Sequence, residues 1–207
     1  MVINIGILVS GRGSNMEAIL KAIRDGKIKN CEVKVVISSK KDARALEVAK
    51  TYGVKAIAIE EVGFKDRVEY DNEIMKCLIE HGVTPDNGLV LLAGYMKILS
   101  PEFVNKFKWR IMNIHPSLLP SFPGLHAQKQ ALEYGVKVTG CTVHFVDESL
   151  DMGPIILQAP VPVEEDDTVE SLSNRILEWE HKIYPEAVRL FIEGKLKIEG
   201  RRVRILK

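Results

Sequence analysis

The sequence predicts an α/β fold: a Rossmann-like open sheet, mostly parallel, with helices on both faces and an antiparallel excursion in the C-terminal half. Three observations predict it. Short runs of Val, Ile and Leu alternate along the chain with segments whose apolar residues recur at helical spacing. Those runs are apolar at consecutive positions, as strands covered on two sides of a parallel sheet must be. From about residue 137 the alternation gives way to two extended segments joined by an acidic loop.

Taken in order, NIGILVS (4–10) is the first strand, and SNMEAILKAIRDG follows as a helix with Met16, Ile19, Leu20 and Ile23 on one face before Gly26. EVKVVISS (32–39) precedes the helical ARALEVAKTYG, KAIAI (55–59) precedes FKDRVEYDNEIMKCLIEHG, and GLVLLAG (88–94) precedes SPEFVNKF. RIMNIH is a fifth strand, ended by Pro116, which lacks a backbone donor and disfavours helix in the residue before it. KVTGCTVHFV (137–146) and PIILQAPVPV (154–163) make a hairpin-like pair across DESLDMG. DTVESLSNRILEWEHKIYPEAVRLFIEGK is a long helical stretch in which Pro185 marks a break or restart. The tail KIEGRRVRIL closes as a small hairpin whose Lys and Arg guard a solvated edge.

Composition bounds the function. A chain of 207 residues with 46% hydrophobic content and no linker stretch is expected to form one domain, 1–207, in two halves, 1–100 and 101–207. The net charge of +1, from 29 basic and 28 acidic residues, provides no field for nucleic acid or an anionic membrane. Cys31, Cys77 and Cys141 are odd in number and unpaired by spacing, which argues against a disulfide framework or a zinc site and fits a reducing cytoplasm. The five His show no metal-like spacing, so no metal is expected. MVINIGILVS lacks a basic leader and reads as a strand, and GLVLLAGYM is too short to span a bilayer.

Two clusters carry chemistry. In SGRGSNMEAIL (10–20) a strand turns through glycines into a helix, a setting in which backbone donors hold an anion. Met16 stands where GxGxxG has its third glycine and no GK[ST] follows, so a phosphate monoester fits better than a dinucleotide or nucleoside triphosphate. The structural alternative is a capping box of Ser14 with Glu17. The second cluster is Asn113 and His115, which share one face of the fifth strand at its carboxyl end, with Asp151 of ESLDMGP as the candidate acid. A carboxylate orients an imidazole, and with an amide donor the pair suits acyl transfer without a covalent enzyme intermediate.

SGRGSN, LAGYMKILSP, NIHPSLLPSFPGLH, the Asp of DESLDMGPIILQ and WEHKIYP, in this order, closely resemble the glycinamide ribonucleotide (phosphoribosylglycinamide) formyltransferases of purine biosynthesis, within the formyltetrahydrofolate-using superfamily. The resemblance implies transfer of the formyl group of 10-formyltetrahydrofolate, a co-substrate, to the amine of glycinamide ribonucleotide, with a phosphate-binding first half and a catalytic, folate-binding second half. It implies Asn113, His115 and Asp151 as catalytic residues and Gly13, Ser14, Asn15 and Glu180 as substrate-binding residues. It places folate along Met96, Lys97, Ile98 and Leu99, at Asn113, in the loop of Asp147, Glu148, Ser149, Leu150 and Asp151, and at Arg67. The implied protein is cytoplasmic, a monomer or homodimer, with no nucleic-acid or membrane partner.

The chain also departs from the family pattern. Met152 follows Asp151 where the family usually has glycine, so a positive φ there would strain the loop. Lys97 replaces the more usual arginine, Arg12 adds charge beside the phosphate loop, and Ser121 removes a lysine found in some relatives. Lys97 should matter little if recognition at 96–99 uses backbone groups. The alternatives are a formyltetrahydrofolate deformylase, which would release formate without an amine, and a non-catalytic binder, which would have no use for the trio. A nicotinamide oxidoreductase lacks its third glycine and the acid after its second strand.

Overall fold

The apolar runs become strands because Val, Ile and Leu suit a pleated surface covered on both sides. The computed structural model describes residues 2–207, in two units that meet in sequence between Met112 and Asn113. In the first unit β1 (Ile3–Val9), β2 (Cys31–Ser38), β3 (Lys55–Ala58) and β4 (Gly88–Leu92) lie in the order β3-β2-β1-β4, all parallel. Helices α1 (Ser14–Arg24), α2 (Arg44–Thr51), α3 (Arg67–Glu80) and α4 (Pro101–Lys106) follow these strands in turn.

The chain builds outward from β1 to β3 and then returns to the other side of β1 for β4. This reversal makes the carboxyl ends of β1 and β4 neighbours, the place where open parallel sheets take ligands. Ile5, Ile7, Leu8, Leu89, Val90 and Leu91 are fully buried there. Gly6 on β1 lets α3 pack close, since a Cβ there would displace the Leu78 side chain. β5 (Ile111–His115) then spans the change of unit, with Arg110 before it accepting from the Val90 N–H at 2.8 Å.

The second unit holds α5 (Ala127–Tyr134), β6 (Val138–Phe145), β7 (Ile155–Pro162), α6 (Val169–Ile192), β8 (Leu196–Glu199) and β9 (Arg202–Ile205). β6 and β7 are antiparallel, β8 and β9 are antiparallel, and β9 pairs parallel to β7 at Ile155 and Arg202. Gly140 lies so close to the Ala159 carbonyl and the Leu118 side chain that no larger residue fits. The α/β, mostly parallel architecture with an antiparallel C-terminal portion is the one the sequence predicts.

Three local expectations are corrected. Pro185 neither breaks nor restarts the last helix, because α6 runs through it for 24 residues. Leu172, Ile176, Tyr184, Ala187 and Val188 are buried on both sides of it. Leu172, Ile176 and Val188 contribute roughly 1.5–3 kcal/mol each, enough together to outweigh the roughly 3 kcal/mol a mid-helix proline costs. The segment AQKQALEY, given no element in the sequence reading, is α5, bounded by left-handed His126 and Gly135. Ser14 and Glu17 form no capping box: Gly13 is the N-cap at φ 79°, Ser14 is already helical, and no side chain caps α1.

Candidate active site

In the first unit the sequence turns sharply after β1, and Gly13 is the reason it can. Its left-handed backbone would strain any other residue, and a Cβ would lie 2.6 Å from that of Ala45. The Gly11 carbonyl accepts from the Ala45 N–H at 3.1 Å, so the loop rests on the start of α2. Ser10 ties this loop to the one after β4: its hydroxyl bonds Ser39 Oγ at 2.7 Å and accepts from the Met96 N–H at 2.9 Å. The start of α1, with its first turn uncapped by side chains, has the positive end of the helix dipole. Asn15 is buried there and Arg12 is exposed.

The segment after β4 presents Met96 and Ile98 to solvent, at 64% and 65% exposure, while Leu99 is buried. Lys97 pairs with Glu61. Glu61 also holds Arg67, with Nη2 to Oε1 at 3.0 Å. The Lys97 hydrogen bond above all, with the charges of Arg67 and Lys97, keeps the Glu61 carboxyl below the usual carboxylate range although burial opposes it. Arg67 is half-buried instead of lying on a solvated helix face, and its Nη1 is buried without a hydrogen-bond partner.

The second unit brings the predicted trio together. His115, at the end of β5, directs Nε2 to the Phe122 carbonyl at 2.8 Å and Nδ1 to Asp151 Oδ2 at 3.4 Å. Both ring nitrogens therefore face oxygen. Asp151 Oδ2 also accepts from the Gly124 N–H at 2.8 Å, and Oδ1 lies 3.8 Å from His144 Nε2. Asp151 itself is left-handed, at φ 53°, so the strain expected at Met152 falls one residue earlier, on a residue type that tolerates it. Before it, Asp147 Oδ1 accepts from the Ser149 N–H at 2.9 Å, while Glu148 and Leu150 are exposed.

His144, which the sequence did not single out, lies among these residues. It is 2% exposed, its Nδ1 meets the Phe145 carbonyl at 2.9 Å, and its Nε2 meets Asn113 Nδ2 at 3.4 Å. A carbonyl only accepts, so Nδ1 carries the proton, and Nε2 of the neutral ring is left to accept from the Asn113 amide. Burial pushes this imidazole below its ordinary range, although the Phe145 carbonyl and Asp151 pull the other way. The contact fixes which end of the Asn113 amide is the donor.

Thr142 and Gln158 brace the turn behind His115. Thr142 Oγ1 donates to the Ser117 carbonyl at 2.7 Å and accepts from the Leu119 N–H at 3.0 Å, while Gln158 Nε2 donates to the Leu119 carbonyl at 2.9 Å. Glu180 of α6, which the resemblance assigns to the substrate, is 7% exposed. Burial pushes the Cys31 thiol up to about 11 and Cys141 to about 12, so neither supplies a ready thiolate. Among the described residues no group of His, Cys, Asp and Glu is arranged to hold a metal ion, and no helix is long and apolar enough to cross a membrane.

A parallel sheet with a glycine turn into α1, joined in sequence to a unit carrying an Asn, two His and an Asp within contact, defines an α/β group-transfer protein. Comparison with known proteins makes this specific. The profile of the formyl transferase family matches residues 3–188, and the chain belongs to that family. It is 45% identical over 195 residues to phosphoribosylglycinamide formyltransferase of Escherichia coli K12, covering 94% of this chain and 90% of that protein. It is 44% identical to the human trifunctional purine biosynthetic protein adenosine-3, covering 94% of this chain but 19% of that much longer protein. Glycinamide ribonucleotide transformylase 1 of Symbiobacterium toebii superposes with a TM-score of 0.95 at 55% identity, over 100% of this chain and 95% of that one. The resemblance read from the motifs is thereby borne out.

Proposed function

We propose that the chain transfers the formyl group of 10-formyltetrahydrofolate to the amine of glycinamide ribonucleotide. The observation that carries this reading is the chain of contacts from Asn113 through His144 to Asp151 and His115, in a chain matched over nearly its whole length by phosphoribosylglycinamide formyltransferases. The substrate amine attacks the formyl carbon, a C–N bond forms, and the carbonyl electron pair moves onto oxygen. The Asn113 amide, held by neutral His144, offers its remaining N–H to that oxyanion, and His115 offers a second donor. His115 must then release one of its present partners. Ser117 Oγ lies 3.4 Å from the same Phe122 carbonyl, but its single O–H already donates to the Ser121 carbonyl, so it takes over from His115 only by turning away from Ser121.

As the tetrahedral adduct collapses, the bond from the formyl carbon to the folate nitrogen breaks. That nitrogen gains a proton and the former amine loses one. Asp151, in contact with His115, is the group that passes it. Gly13, Ser14 and Asn15 bind the phosphate, and Glu180 the ribose end of the substrate. Met96 to Leu99, the Asp147 to Asp151 loop and Arg67 bind folate, with the unpartnered Arg67 Nη1 suited to a carboxylate.

The deciding experiment follows folate absorbance with purified protein and 10-formyltetrahydrofolate, with and without glycinamide ribonucleotide. Turnover that requires the ribonucleotide is expected. Formate release at the same rate without it would make the chain a deformylase, and no turnover in either arm would remove the proposal.

A further inference from the structure

Asp151 is the one member of the trio on neither strand nor helix, and its left-handed backbone is set by the contacts around its loop. The backbone just after it is fixed in three ways. Gly153 is pressed against the Phe145 carbonyl with no room for a Cβ, and the Phe145 N–H donates to the Pro154 carbonyl at 2.9 Å. These two contacts close the β6–β7 connection on itself. The third is different: Arg201 Nη2 donates to the Met152 carbonyl at 2.7 Å, from 49 residues further along the chain.

Arg201 occupies the turn between β8 and β9, next to left-handed Gly200, and its neighbour Arg202 pairs with Ile155 of β7. One arginine thus registers the tail hairpin beside the loop, and the next grips the loop itself. The grip matters because the loop has little apolar anchoring: Leu150 and Met152 are each 53% exposed. A guanidinium is always charged, and its bond to a carbonyl is charge-assisted. β8 and β9 also lie beyond residue 188, where the match to the family profile ends.

We propose that Arg201 is a positioning residue: the terminal hairpin buttresses the 147–153 loop and keeps Asp151 against His115. Its effect on turnover rests on the formyl-transfer reading above, whereas its effect on loop order does not. The test compares wild type with Arg201→Ala, Arg201→Lys and Arg204→Ala, the last on the same hairpin but pairing with Glu199. Loss of one charge-assisted hydrogen bond corresponds to at most a roughly tenfold change where, as here, it is exposed to solvent. Arg201→Ala is expected to lower kcat several-fold, up to about tenfold, with KM for the ribonucleotide little changed, and to speed amide hydrogen exchange at 147–153 alone. Arg201→Lys should recover part of both effects, and Arg204→Ala should behave as wild type.

Wild-type kcat in Arg201→Ala overturns the proposal. So does an equal loss in Arg204→Ala with a lowered melting temperature, since the hairpin would then act only through global stability. If the wild-type protein transfers no formyl group, the functional reading fails separately and the exchange comparison alone decides whether Arg201 orders the loop.

Discussion

Asp151 joins three parts of the candidate site: one carboxylate oxygen takes the Gly124 N–H and faces His115, and the other faces His144. Asp151→Asn tests whether its charge matters beyond its shape. An amide oxygen still accepts from Gly124, so the melting temperature should stay within a few degrees of wild type. Turnover should fall by about two to three orders of magnitude, because the proton relay is gone. Retained turnover measured by the folate absorbance assay would take Asp151 out of the mechanism. At this scale the sequence was readable wherever strand parity applied. Asn113 and His115 emerged because they share a face of a strand that a proline ends. Thr142 and His144 sit in the same i, i+2 relation on β6, two polar groups in an apolar run, and that signal went unused. The left-handed backbone of Asp151 was not legible, since it arises from contacts to residues distant in sequence.

At the scale of elements, periodicity placed every strand to within a residue or two, because burial on both faces leaves little choice of composition. It misjudged α6 at Pro185, where tertiary burial outweighs local propensity, and it passed over α5, whose short amphipathic pattern is weak. The start of α6 is set locally. Thr168 Oγ1 accepts from the Ser171 N–H at 3.1 Å, and Ser171 Oγ accepts from the Thr168 N–H at 2.9 Å, a reciprocal cap. Thr168→Ala removes one half of it and should cost about 1 kcal/mol. For a chain of this size that lowers the melting temperature by roughly 2–4 °C in a calorimetric scan. An unchanged melting temperature would mean that packing along α6 holds the helix start without the cap. Turnover should be unaffected, since Thr168 touches none of the candidate site residues in the described contacts.

For the whole molecule, the pH dependence of unfolding separates two buried groups whose protonation acts in opposite directions. His144 faces Asn113, Asp151, His115 and Asp147, and its pKa lies below the ordinary 6.5 chiefly because it is buried. The unfolded chain therefore binds a proton there that the folded chain refuses. The stability this provides is complete above about pH 6.5 and is lost as pH falls toward the folded value. Asp71, fully buried on α3 with Oδ2 accepting from the Ser100 N–H at 2.5 Å, is raised above 3.8, again chiefly by burial. Its contribution is complete below that pH and is lost as pH rises through the folded value. Glu61, lowered from 4.5, acts in the same direction as His144, but only in more acidic solution. In urea unfolding between pH 5 and pH 7, His144 should thus contribute stability that rises with pH, by at most about 1.4 kcal/mol per pH unit, against an opposing contribution from Asp71. His144→Gln, which can still accept from Asn113, should flatten that rise. Asp71→Asn, which keeps an acceptor for Ser100, should gain more stability relative to wild type at pH 7 than at pH 4. An identical slope in His144→Gln and wild type would mean that this imidazole takes up its proton in the fold as readily as in the unfolded chain. The neutral acceptor assigned to it beside Asn113 would then be lost.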